Sequence, residues 1–194
     1  MDGVEAFGRL MEGNRRYSEG RPVAPRRDSD RRKETANGQK PFAIVLTCSD
    51  SRVVPEILFD QGIGDIFVVR VAGNEVDDLV LGSIEYAATH LSTPLLVVLG
   101  HDDCGAVKAS IDAGDPGGHT GSFIDKIRSV LAGNATNDPV KAACDNTLDV
   151  VNRLESSSPI LKSLVEAEKL NVKGAHYDIT SGCVTEIGQE SGLP

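Results

Sequence analysis

Residues 42–53 read FAIVLTCSDSRV: five apolar positions, Phe42 to Leu46, run without a break into Thr47, a thiol, a carboxylate and an arginine. A short, continuous, β-branched apolar run is the pattern of a strand buried on both faces, as in the middle of a parallel sheet. Two further runs share it, DIFVVRV at 65–71 and PLLVVLG at 94–100. Between them, EVDDLVLGSIEYAATHL places Leu79, Gly82, Ile84, Ala87, Ala88 and Leu91 on one helical stripe. After Gly105, AVKASIDAG and GSFIDKIRSVLAG predict two short helices joined by the turn DPGGHT. Residues 138–169 predict helix interrupted at SSSP (156–159), where a serine cap precedes Pro159 in a first turn. LNVKGAHYDI and CVTEI predict a last strand pair around the turn Thr180-Ser181-Gly182. This alternation predicts an α/β fold with a mostly parallel central β-sheet, four parallel strands plus an antiparallel edge strand, flanked by helices.

Upstream, residues 3–18 carry Val4, Phe7, Leu10, Met11, Asn14 and Tyr17 at three- and four-residue steps, the spacing of an amphipathic helix. GRPVAPRRDSDRRKETANGQKP (20–41) is polar and proline-bearing, and reads as a linker or long surface crossover. The helix before it can pack on its own domain or reach across to a partner subunit. The 194 residues are expected to form a single domain, 1–194, with 1–40 as an N-terminal helical arm and crossover and 41–194 as the α/β core. The net charge of −9, with basic residues scattered apart from Arg26, Arg27, Arg31, Arg32 and Lys33, argues against a nucleic-acid partner. No apolar stretch reaches the ~18 residues of a membrane span. The start MDGVEAFGRLMEGNRRY has acids where a signal peptide would be basic, so a cytoplasmic location is expected. Four widely spaced cysteines, Cys48, Cys104, Cys144 and Cys183, are there more readily buried, catalytic or metal-bound than disulfide-paired.

In parallel α/β sheets, ligands bind beyond the carboxyl ends of the strands. CSDSR follows the first strand there, and GHDDCGAV (100–107) follows the third. Cys48, His101 and Cys104 can therefore converge. Two thiolates and one imidazole with an open fourth position make a catalytic zinc set. A helix starting at Cys104 helps keep its sulfur ionised. Singly, each cysteine reads as a small buried residue; together, at two strand ends, they favour the metal. A structural zinc site would close with a fourth ligand, and Cys144 and Cys183 lie outside any such motif. Asp50 and Arg52 alternate with Cys48, which in an extended segment puts all three on one side. Asp102 and Asp103 are expected to cap the helix that follows.

CSDSRV with GHDDCGAV resembles the two signature motifs of the β-class carbonic anhydrases. The similarity continues through PEILFDQGIGDIFVVRVAGN (55–74), GSIEYAATHL (82–91), LLVVLGH (95–101) and VKGAHYDITSGCV (172–184). The resemblance implies zinc-dependent, reversible hydration of carbon dioxide to bicarbonate and a proton. Zn2+ is then held by Cys48, His101 and Cys104, and zinc-bound hydroxide is oriented by an Asp50–Arg52 dyad, with Asp50 as fourth ligand in a closed form. Gln61 and Gly105 become substrate-binding residues. The chain becomes a homodimer or higher even oligomer whose N-terminal helices embrace the partner, with each active site at the interface. Val45 stands where one subgroup has a tryptophan used for bicarbonate control, so an open site is expected. Two rivals remain at this stage: hydrolysis of carbonyl sulfide or carbon disulfide on the same zinc, and a non-catalytic zinc-binding or redox-sensing domain.

Overall fold

The computed structural model describes residues 1–112, 114–134 and 136–188. Every residue of the first apolar run from Ala43 to Thr47 is buried and forms β1. It is followed by β2 (Ile66–Arg70), β3 (Leu95–His101), β4 (Asn171–Tyr177) and β5 (Val184–Ile187). The strands lie in the order β2-β1-β3-β4-β5. The first four are parallel and β5 runs antiparallel to β4, as the sequence predicts. The turn between β4 and β5 needs the left-handed backbone of Gly182, at φ 77°.

The helices are α1 (Gly3–Ser18), α2 (Ser29–Glu34), α3 (Pro55–Leu58), α4 (Asp78–His90), α5 (Gly105–Ile111), α6 (Gly121–Asn134), α7 (Pro139–Ser157) and α8 (Pro159–Glu166). Alternate strand residues divide them between two faces. Ala43, Val45, Leu95, Val97 and Leu99 pack with Ala6 and Leu10 of α1. Ile44, Leu46, Leu96 and Val98 pack with Ile84 and Ala87 of α4, Val150 and Leu154 of α7, and Leu161 of α8. The stripe on α4 differs from the expected one at Leu79 and Gly82, which are exposed. Val80, Ile84, Ala87 and Ala88 are buried, whereas Leu79 is 82% exposed. Asp77 caps the helix by accepting from the Val80 amide at 2.9 Å, and at about 100° per residue Val80 shares the face of Ile84 and Ala87 while Leu79 does not. The break before α8 follows expectation: Ser158 accepts from the Leu161 amide at 3.1 Å and Pro159 takes the first turn.

α1 packs on its own chain. Its buried Asn14 donates to the carbonyls of Leu58 (3.1 Å) and Gly182 (2.9 Å) and accepts from the Val184 amide (2.8 Å). The crossover after it holds α2, which buries no residue. Two buried carboxylates tie that crossover down. Asp60 accepts from Arg16 Nε (2.7 Å) and the amides of Val23 and Ala24, and Asp65 takes a forked pair from Arg26.

The chain leaves β1 for β2 on one side and returns to β3 on the other. Neighbouring connections that diverge in this way open a crevice at the carboxyl ends of β1 and β3. Just below it, Thr47 Oγ1 donates to the Leu99 carbonyl at 2.8 Å and pins the two strand ends together. α7 closes on β3 at Gly100, where an added Cβ would run into Thr147 Oγ1. Among the described residues no helix is long and apolar enough to cross a membrane.

Candidate metal centre

Cys48 leaves the end of β1, His101 is the last residue of β3, and Cys104 is the N-cap of α5. The three are buried, and one ligand atom from each lies within 4.8 Å of the others. His101 Nδ1 donates to the Asp102 carbonyl at 2.7 Å, which leaves the lone pair on Nε2. Nε2 is buried and has no hydrogen-bond partner. A buried imidazole nitrogen without a partner, set against two thiols, is the donor set a borderline-soft divalent cation takes. The residues therefore fit a metal. Cys104, which faces Cys48, favours the Cys48 thiolate most; with His101 and the amides of Gly73 and Asp50 it outweighs burial and lowers that thiol. The same pairing, together with burial, pushes Cys104 up. A cation bound there would displace the protons of the ligating thiols.

Asp50 and Arg52 form a forked ion pair beside this cluster. Arg52 Nε donates to Asp50 Oδ1 (3.0 Å) and Nη2 to Oδ2 (2.8 Å), while the Arg52 amide also reaches Oδ1 (2.9 Å). Arg52 first of all holds the Asp50 carboxyl down to about 2. The backbone here is not extended. β1 ends at Thr47, and the Val53 amide donates to the Asp50 carbonyl at 3.0 Å, so a turn brings the pair together instead of strand alternation. Asp103 departs from expectation as well, since it does not cap α5. It sits at φ 57° and accepts from Arg52 Nη1 at 3.2 Å and from Lys108. Asp102 turns to His176.

A family profile described as carbonic anhydrase matches residues 43–184. The chain belongs to that family. It is 52% identical over 135 residues to carbonic anhydrase 2 of Mycobacterium tuberculosis, covering 67% of this chain and 65% of that protein. The chain thus spans just under two thirds of that relative's length. It is 41% identical over 190 residues to a carbonic anhydrase of Mycolicibacterium smegmatis, covering 93% of this chain and 91% of the relative. Among solved structures, a tetrameric β-carbonic anhydrase from Sordaria macrospora superposes with a TM-score of 0.76 at 27% identity, over 80% of this chain and 85% of that one. The β class is therefore the one this carbonic anhydrase family member falls in.

The two remaining site candidates lie differently. Gly105 follows Cys104 directly and faces open space, since an added Cβ would meet nothing within 4 Å. Gln61 lies against α1, its Nε2 3.0 Å from where a Cβ on Gly13 would stand. Asp65, four residues on, bonds through its carbonyl to the Phe42 amide just before β1, roughly 20 Å of extended chain away from Cys48. Gln61 is buried, donates to the Phe59 carbonyl at 2.7 Å, and lines a cavity of about 510 Å³ with Arg27, Glu56 and Ile63. Within one chain it does not meet the metal cluster.

Two supporting residues of this β-carbonic anhydrase family member were not singled out by sequence. Arg70, at the end of β2, donates to the carbonyls of Cys48 (3.1 Å) and Asp50 (2.7 Å). The signal for it was its place at a strand end beside β1. Gly73 donates its amide to Cys48 Sγ at 3.4 Å from a left-handed backbone, φ 69°. A Cβ there would stand 2.8 Å from Ile127 Cδ1 and 3.1 Å from Ala106 Cβ. Gly73→Ala is therefore expected to cost about 1–3 kcal/mol by combining backbone strain with overpacking. Urea unfolding reads this directly, and an unchanged midpoint would show that the loop yields freely.

Proposed function

We propose that this protein is a zinc enzyme that reversibly hydrates carbon dioxide to bicarbonate and a proton. The observation that carries the reading is the partnerless His101 Nε2 between two buried thiols, with the Asp50–Arg52 pair at its side. Zinc held by Cys48, His101 and Cys104 would supply a Lewis acid that makes a nucleophile of water near neutral pH.

The chain's own residues aim the reaction. Asp50 stays ionised because Arg52 binds both its oxygens. A carboxylate so held accepts a hydrogen bond from the attacking water and so turns the water's lone pair toward the carbon of CO2. Arg70 fixes the carbonyls of Cys48 and Asp50, so ligand and dyad keep one spacing. The Gly105 amide, at the start of α5, would donate to a bicarbonate oxygen.

Gln61 can serve a substrate only across an interface, at the site of a partner. This supports a homodimer or higher even oligomer, as does the tetrameric Sordaria neighbour. The arm and crossover (1–40) belong with the α/β core (41–194) as one domain, a reading supported by the ties of Asp60 and Asp65. The four free thiols fit a reducing compartment such as the cytoplasm.

Stopped-flow CO2 hydration by zinc-replete protein, from pH about 6.5 to 9, tests the reading. Turnover well above background is expected already at pH 7, with the dyad formed. Activity confined to alkaline pH would mean that Asp50 leaves Arg52 for the metal at rest. Zinc bound with no turnover at any pH would overturn the proposal and bring carbonyl sulfide forward as substrate.

A further inference from the structure

Behind His101 lies a buried polar chain that the reaction does not use. His176 on β4 and Cys144 on α7 are both buried. His176 Nε2 stands 2.7 Å from Asp102 Oδ1, and His176 Nδ1 stands 3.5 Å from Cys144 Sγ. An ionised carboxylate only accepts, so Nε2 carries the proton and Nδ1 is left as an acceptor. Burial first, then the negative charges of Asp145 and Asp102, pushes the Cys144 thiol up to about 11, so it keeps its proton and donates to Nδ1. The chain of donors runs from Cys144 through His176 to Asp102.

Asp102 is thereby held twice by β4. Its side chain takes the His176 N–H, and its amide donates to the Tyr177 carbonyl at 3.1 Å. The parallel register that pairs Gly100 with His176 and His101 with Tyr177 makes both contacts possible. The carbonyl of this same residue receives the His101 Nδ1 proton. We infer that His176 is a positioning residue for the metal centre: through Asp102 it fixes the tautomer and ring direction of His101, so that Nε2 is presented to the cation. Cys144 sets the direction of the His176 ring. The inference rests on the zinc reading above.

Three variants test it: His176→Phe keeps the volume but removes the donor, His176→Gln restores an N–H that reaches Asp102, and Asp102→Ala breaks the same link from a side chain only 26% exposed. Zinc affinity is measured by competition with a chromogenic chelator, and ring direction by the visible bands of the cobalt-substituted protein. The melting temperature of each metal-free form reports folding. His176→Phe is expected to weaken zinc binding about 10–100-fold and to shift the cobalt bands, and His176→Gln to recover both. A folded His176→Phe protein with wild-type zinc affinity and cobalt bands would overturn the inference. If His176→Phe does not fold, Asp102→Ala decides by the same two readings. A wild-type protein that takes up no zinc would overturn this inference and the proposed function together, whereas a zinc-loaded wild type matched by its variants would overturn this one alone.

Discussion

Asp50→Asn is expected to lower the CO2 hydration rate at least ~10²-fold, the scale of a misaimed reacting group, while zinc stays at about one per chain. The substitution changes little in shape. What it removes is an acceptor: Arg52 Nε, Arg52 Nη2 and the Arg52 amide all donate to the carboxylate, which uses both oxygens. Asparagine offers a single oxygen, and its NH2 then faces a guanidinium that can only donate. The fork opens, and Arg52 falls back on Asp103, already 3.2 Å from Nη1. None of the three clustered ligand atoms belongs to Asp50, so metal content has no reason to fall. The combination distinguishes two readings of the same cysteines. A zinc-binding or redox-sensing domain has no use for Asp50, and a variant that keeps both its zinc and a near-native hydration rate would favour that reading over catalysis.

The sheet was readable from sequence because β1, β2 and β3 fall on apolar runs, and β1 and β3 are buried along their whole length. The hairpin was readable from a turn ending in glycine. The ligand trio was readable because strand order alone brings two strand ends together, so residues 53 positions apart (101 − 48) needed no side-chain detail to converge. What escaped depends on backbone angle and register. Strand alternation suggested the right partner for Asp50 for the wrong reason, since the chain turns at Ser51 and Arg52. Asp103 looked like a cap until its left-handed backbone aimed it at Arg52. His176 meets Asp102 only through the register of β3 and β4, which no local pattern encodes. Leu79 and Val80 differ by about 100° of helix, and only Val80 falls on the side of Ile84 and Ala87.

Cys48→Ser carries the other large effect: zinc is expected to fall from about one per chain to near zero, and hydration to the uncatalysed background. The oxygen is smaller than sulfur but accepts the same hydrogen bonds. The Gly73 amide that reaches Sγ and the Arg70 bond to the residue-48 carbonyl both have partners in the variant, so the fold is expected to survive. The difference lies in charge. The neighbouring Cys104 favours the Cys48 thiolate, whereas a serine hydroxyl remains neutral. With one anionic ligand gone, an imidazole, one thiolate and a hydroxyl face the cation in a buried site, and the binding energy no longer covers the cost of stripping its water. Wild-type protein treated with a strong chelator should reproduce the loss of rate, and added zinc should restore it in the wild type alone. Metal analysis of the purified variant decides the matter. A full equivalent of zinc with wild-type turnover in Cys48→Ser would remove Cys48 from the ligand set, and the cluster at the ends of β1 and β3 would then need a different metal site or none.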